Sequence, residues 1–143
     1  MPKHLYIQTI EKYYNACNQR DEALMISTFT DDIVHYFVDH APVKSARGVA
    51  NYWCKVAPKT EATWSLDHAL VNEPEAVIEW SMRWKPSTEL SHEFLRGTEW
   101  FIFVGNKIAE IRSYHCNFYL NDRRNCQLRD FDYRGRKYTH EES

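Results

Sequence analysis

From Trp64 to Tyr119 apolar and polar residues alternate with a period of two, whereas before Trp64 the apolar residues mostly recur at helical spacing. This change of period constrains the fold more than any other feature. Trp64 to Val71 alternates, and Asn72-Glu73-Pro74 reads as a turn. Ala76 to Trp84 alternates again, with Ile78, Trp80, Met82 and Trp84 on one face. Pro86 to Ser91 turns the chain, Glu93 to Val104 is a long strand, and Gly105-Asn106 makes a tight hairpin turn into Lys107 to Tyr119.

The N-terminal part predicts helices. Leu5, Ile10, Tyr13, Tyr14 and Cys17 form one amphipathic stripe. Asp21 can cap a second, short helix through Phe29 that buries Leu24, Met25 and Phe29. Ile33 to Val38 is β-rich and ends before Pro42. Arg47-Gly48 leads into a third helix with Val49, Tyr52, Trp53 and Val56 on one side, which Pro58 stops. Helices gathered at the start and strands in antiparallel succession give a single α+β domain over 1–143. Its core runs over about 5–118, and the tail 119–143 caps the core or is irregular.

The formal charge of -2 leaves no field of one sign to attract nucleic acid. In the tail, Arg123, Arg124, Arg129, Arg134, Arg136 and Lys137 are interleaved with Asp122, Asp130 and Asp132, which reads as a solvated segment. No apolar run approaches the roughly 20 residues of a membrane helix, and Met1 to Tyr6 lacks a signal-peptide apolar region. A soluble, cytoplasmic protein is expected. Cys17, Cys54, Cys116 and Cys126 show no metal-type pairing and read as free thiols. His35, His40, His68 and His115 lack the short ligand spacing of zinc sites, and no phosphate-cradling Gly loop is present, so neither metal nor cofactor is expected.

The order of elements, with Arg96-Gly97-Thr98-Glu99-Trp100-Phe101 and then Gly105-Asn106-Lys107-Ile108-Ala109-Glu110-Ile111-Arg112, resembles the SnoaL-like branch of the nuclear transport factor 2-like superfamily. The resemblance covers about Leu5 to Phe118. It implies a cone in which helices pack on a curved, mostly antiparallel sheet around a deep pocket, and it implies a homodimer. Members include steroid isomerases, polyketide cyclases, epoxide hydrolases, dehydratases and non-catalytic binding domains, so fold alone does not fix function.

Family geometry and period-two alternation together assign inward faces. These are Ile33, His35 and Phe37; then Trp64, Leu66, His68 and Leu70; then Trp80 and Trp84. On the last two strands they are Leu95, Gly97, Glu99 and Phe101, and then Ile111, Ser113 and His115. Tyr13 resembles the isomerases' oxyanion tyrosine, and Glu99 stands near the place of their protonated acid. The isomerases' catalytic aspartate falls on Phe37, and the epoxide hydrolases' last-strand aspartate falls on Ser113, so neither reaction carries over whole.

His35 is the candidate base, since an imidazole titrates near neutrality; its bland reading is a neutral core histidine. Glu99 among aromatics is expected to have a raised pKa and to donate as a neutral acid. Its bland reading is an outer-face Glu paired with Arg112. His68 is a reserve acid or base. Tyr14, Phe37, Trp53, Trp64, Trp80, Trp84, Ile111, Ser113 and His115 are candidate substrate contacts, and Asp39-His40 could rim the mouth. A cation could also stack on the tryptophans. The expected function is a cofactor-independent isomerase, dehydratase, cyclase or ring-opening hydrolase for a small, mostly apolar cyclic metabolite. The alternative is a non-catalytic binding or dimerising domain.

Overall fold

A computed structural model of the chain describes residues 2–86, 91–115 and 128–138. Expectations for Cys116, Cys126, Asp122, Arg123, Arg124 and the strand beyond His115 lie outside the described residues.

Helix α1 (Leu5–Gln19) buries Ile10, Tyr13, Tyr14 and Cys17 of the expected stripe, whereas Leu5 in the first turn is 54% exposed and Tyr6 is buried in its place. Burying each large apolar side chain contributes roughly 1.5–3 kcal/mol, so this stripe fixes the helix to the sheet. Asp21 caps α2 (Glu22–Ile26) by accepting from Leu24 N at 3.0 Å. This helix ends before Phe29, which begins strand β1 (Phe29–Tyr36). A two-residue strand β2 (Val43–Lys44) then leads into α3 (Ala46–Thr60), capped by Ser45 Oγ, which accepts from Gly48 N. Pro58 lies inside the last turn of α3 rather than stopping it. A proline removes one N–H and crowds the carbonyl four residues back, and the helix closes three residues later at Glu61 in the left-handed conformation.

Strands β3 (Thr63–Asn72), β4 (Glu75–Trp84), β5 (Glu93–Val104) and β6 (Lys107–His115) follow. The six strands form one open sheet in the order β2-β1-β6-β5-β4-β3. All neighbours are antiparallel except β1 and β6, which are parallel. Gly105, at φ 61, makes the β5–β6 hairpin turn that an L side chain would strain.

One expected face is corrected. The β3–β4 register shifts between Leu66 and His68. An extra residue in one strand flips everything after it to the opposite face. Trp64 and Leu66 therefore point inward, but His68 is exposed and Leu70 is 61% exposed; Ala69 and Val71 pack on the core instead.

Residues 128–138 lie on the other face of the sheet. Leu128 and Phe131 are buried with Val38, packed by Tyr36, Tyr114 and Tyr133. Arg129 N donates to Phe37 O at 2.9 Å, and Arg136 grips Glu110 through two hydrogen bonds of 2.6 and 3.0 Å. The outer face of the sheet is thus partly covered by the chain itself.

Candidate functional site

The helices and the inner face of the sheet enclose a cavity of about 640 Å³, a size suited to a small molecule. Its chemistry centres on Glu99. Alternation on β5 turns Glu99 inward with Leu95, Gly97 and Phe101, and only 5% of it is exposed. The β5–β6 register sets Ser113 directly opposite Glu99. The parallel β1–β6 register sets His35 beside Ile111, two residues from Ser113.

These placements produce a four-residue chain of hydrogen bonds. Tyr14 OH donates to Glu99 Oε1 at 2.5 Å, and Ser113 Oγ donates to Glu99 Oε2. His35 Nε2 lies 2.9 Å from Ser113 Oγ and 3.4 Å from Glu99 Oε2. Because the single Ser113 proton points at Glu99, His35 Nε2 carries the proton of its own bond to Ser113. His35 Nδ1 is then a bare acceptor, buried without a partner.

Burial pushes His35 down from its ordinary value, which favours this neutral form. Burial alone would push Glu99 up. Contacts with His35, then the hydrogen bonds from Ser113 and Tyr14, outweigh it and hold the carboxyl below its ordinary range. The expectation of a raised Glu99 pKa is therefore reversed, because the contact with His35 and the two hydroxyl donors outweigh burial. Tyr14 is raised well above its ordinary value, first by burial and then by the Glu99 charge, so its hydroxyl stays protonated. Arg112 pairs with Glu110 at 2.7 Å on the outer face and not with Glu99.

Other expected residues separate into two groups. Tyr13, Tyr14, Phe37, Ser113 and His115 line the cavity, as do Trp53, Trp64, Trp80 and Trp84. His35, Ile111 and His68 do not. His35 is fully buried; Phe37, stacked on its ring at 4.1 Å, and Ser113 reach the cavity in its place. Ile111 is fully buried in the main core. Tyr13 lines the cavity, and burial holds its hydroxyl well above its ordinary value; it is its neighbour Tyr14 that meets Glu99. Trp64 is fixed by Asn18, whose side chain bonds both its N and its O at 2.8 and 2.9 Å.

Asp39 and His40, expected at the rim of the mouth, line the cavity with Tyr52. His115 Nε2 lies 3.0 Å from Asp39 Oδ2, and His40 Nε2 lies 2.9 Å from Tyr52 OH. Burial, then the Asp39 charge, pushes Tyr52 up to about 12. Cys17, Met82 and Tyr52 were missed as lining residues; Tyr52, beside Trp53 on the apolar side of α3, carried the clearest signal. Among the described residues no three His, Cys, Asp or Glu side chains gather as metal ligands.

Residues 10–111 match the SnoaL-like domain family. No curated protein matches the chain. Among solved structures, the chain is similar to a protein of unknown function with a cystatin-like fold from Methylobium petroleophilum PM1. The two are 29% identical over 99% of this chain and 95% of that one, with a TM-score of 0.83. It is also similar to a candidate polyketide cyclase from Xanthomonas campestris pv. campestris, at 14% identity, 80% and 92% coverage and a TM-score of 0.70. A candidate ketosteroid isomerase from Kribbella flavida DSM 17836 is 12% identical, with 82% of each chain covered and a TM-score of 0.67. At these last identities the likeness is one of fold.

Proposed function

The chain belongs to the SnoaL-like domain family, and from that premise we propose that it is a cofactor-independent acid–base enzyme for a small, mostly apolar cyclic molecule, with Glu99 as the proton acceptor. One observation carries the reading: the Glu99 carboxyl group, held by hydrogen bonds from Tyr14 and Ser113, faces an aromatic cavity. A base in such a place meets an apolar guest without competing water.

The step common to isomerisation, dehydration and cyclisation is removal of a proton from a carbon beside a carbonyl. The C–H bond breaks, its electron pair moves toward the carbonyl oxygen, and the proton goes to Glu99. A protonated Glu99 no longer needs both hydroxyl donors, so the Tyr14 hydroxyl can turn to the developing oxyanion. His35 acts behind Ser113 as a positioning residue that keeps the Ser113 proton on Glu99. This replaces His35 with Glu99 as the base.

A second reading, a binding domain without chemistry, is favoured by the occupation of both Glu99 oxygens. Proton exchange separates the two. A cyclic ketone such as 2-tetralone is incubated with the protein in D2O, and loss of its acidic C–H signals is followed by NMR. The enzyme reading expects catalysed exchange that Glu99→Gln lowers by about 100-fold, within the usual range for a positioned base, with circular dichroism unchanged. Binding of ketones without any exchange would sink the enzyme reading and leave the binding one.

A further inference from the structure

A second set of polar side chains lines the cavity, and the proposed chemistry at Glu99 does not use it: Asp39, His40, Tyr52 and His115. His115 Nε2 lies 3.0 Å from Asp39 Oδ2, and His115 Nδ1 is buried without a hydrogen-bond partner among the described residues. His40 Nδ1 lies 2.9 Å from Ala41 O, which only accepts, so Nδ1 carries a proton. His40 Nε2 lies 2.9 Å from Tyr52 OH. The Trp80 ring, which also lines the cavity, stands edge-on to that of His115 with centres 6.0 Å apart. Its Nε1–H is likewise buried without a partner among the described residues.

These groups suit a hydroxyl in either protonation state of the two histidines. With His40 neutral, Tyr52 donates to Nε2 and its oxygen can still accept. With His40 charged, Nε2 donates and the Tyr52 proton is left to donate elsewhere. Tyr52 keeps that proton, because burial, then the Asp39 charge, pushes it up to about 12. His115 Nδ1 accepts when bare and donates when protonated, whereas the Trp80 N–H only donates. A hydroxyl both donates and accepts, so it meets every one of these cases. A carbonyl or ether oxygen only accepts, and an ammonium only donates. A buried polar group left unpaired costs about 1–3 kcal/mol, a deficit that a guest hydroxyl removes. The β5–β6 register pairs Gly97 with His115 and Glu99 with Ser113. His115 and Glu99 are thus offset by two residues along the strands, roughly 6.6 Å or the span of one aromatic ring.

We propose that the guest of this cavity carries a hydroxyl group, received by the wall that His115, Trp80 and Tyr52 form, about one ring away from the carbon that meets Glu99. The guest is then a hydroxylated cyclic ketone, and a phenol fused to a ring ketone places both groups. The inference rests on the reading that the cavity takes a small cyclic guest beside Glu99, and it names the second group by which that guest is recognised.

Isothermal titration calorimetry at pH 7 compares 6-hydroxy-2-tetralone, 6-methoxy-2-tetralone and 2-tetralone. The hydroxy compound is expected to bind at least about fivefold tighter than either of the others. His115→Leu removes both ring nitrogens, and Tyr52→Phe removes only a hydroxyl and keeps the ring. Each is expected to shrink that ratio, and the two together to bring it within about twofold of one, with circular dichroism unchanged. A preference for the hydroxy compound without any C–H exchange would sink the enzyme reading and leave this inference standing. Exchange without that preference would do the reverse. A methoxy compound that binds as tightly as the hydroxy one, a ratio untouched by both substitutions, or no binding by any of the three would overturn the proposal.

Discussion

Tyr14 on α1 and Glu99 on β5 share a 2.5 Å buried hydrogen bond between residues 85 positions apart in sequence. It joins the helical layer to the sheet at the point where the cavity is most polar. Replacing Tyr14 by Phe removes one donor from the carboxylate and leaves the ring in place. A buried acceptor that loses a partner costs about 1–3 kcal/mol. The larger consequence is for titration. Glu99 acts as a base only when ionised, so exchange activity falls as pH drops through its pKa, which the native donors hold below the ordinary carboxylate range. Tyr14→Phe should move that acid limb to higher pH in a pH–rate profile of the NMR exchange assay. An acid limb in the same place for both proteins would show that Tyr14 does not tune Glu99.

His35 makes a separate prediction about stability. Its folded pKa is depressed from 6.5 by burial, so the unfolded chain binds this proton first as pH falls. Its contribution is fully present above about 6.5 and is lost as pH drops through the folded value. Glu99 is also depressed, from 4.5, so its own contribution is lost only at lower pH. Between pH 7 and about 5 the thermal midpoint of the wild type should therefore fall. His35→Gln, which can still donate to Ser113, should fall less over the same window. Parallel midpoint curves for the two proteins would show that His35 is not titrating in that way.

The fold was legible because its signals are local and repeated. The stripe of Ile10, Tyr13, Tyr14 and Cys17 has one helical solution, and Ile78, Trp80, Met82 and Trp84 have one strand face. The site was less legible because its determinants are not local. A one-residue shift after Leu66 sends His68 to solvent, and nothing in the alternation of Trp64 to Val71 marks the shift. Tyr13 and Tyr14 are adjacent, and only the exact rotation of α1 decides that Tyr14 meets Glu99. Glu99 and Ser113 were placed on inward faces, but their mutual bond depends on the β5–β6 register. Whether His35 touches the cavity or stands behind it depends on Phe37, which packs across its ring.

Gly97 shows how backbone proximity shapes the cavity wall. A Cβ at this position would lie 2.5 Å from Trp80 Cζ2 and 2.5 Å from the Tyr114 carbonyl oxygen. The indole could swing away, but the carbonyl belongs to the paired strand and cannot. Gly97→Ala should cost about 1–3 kcal/mol, as other overpacked sites do, read as a lower midpoint in urea. It should also weaken binding of the cavity's guest, since Trp80 must leave its place. An unchanged midpoint with unchanged binding would mean that the strands part there without cost.

Residues 128–138 offer a contrast between two contacts of unequal worth. Phe131 is 6% exposed, with the Arg136 guanidinium over its ring at 4.3 Å and that of Arg112 at 5.5 Å. Arg136 bonds Glu110, but its own side chain is 36% exposed. Burial and dispersion favour the first contact, while solvent screens the second. Phe131→Ala should therefore cost about 3 kcal/mol, the low end for a buried phenylalanine, whereas Arg136→Ala should cost less than about 1 kcal/mol as a partly exposed pair. Adding salt should narrow the gap between Arg136→Ala and the wild type and leave the Phe131→Ala loss unchanged. The segment also holds the cavity's edge, because Arg129 N bonds the carbonyl of Phe37, whose ring covers His35. Phe131→Ala should therefore lower guest affinity as well as stability, and equal urea midpoints for the two variants would reject the ranking of apolar burial above the ion pair.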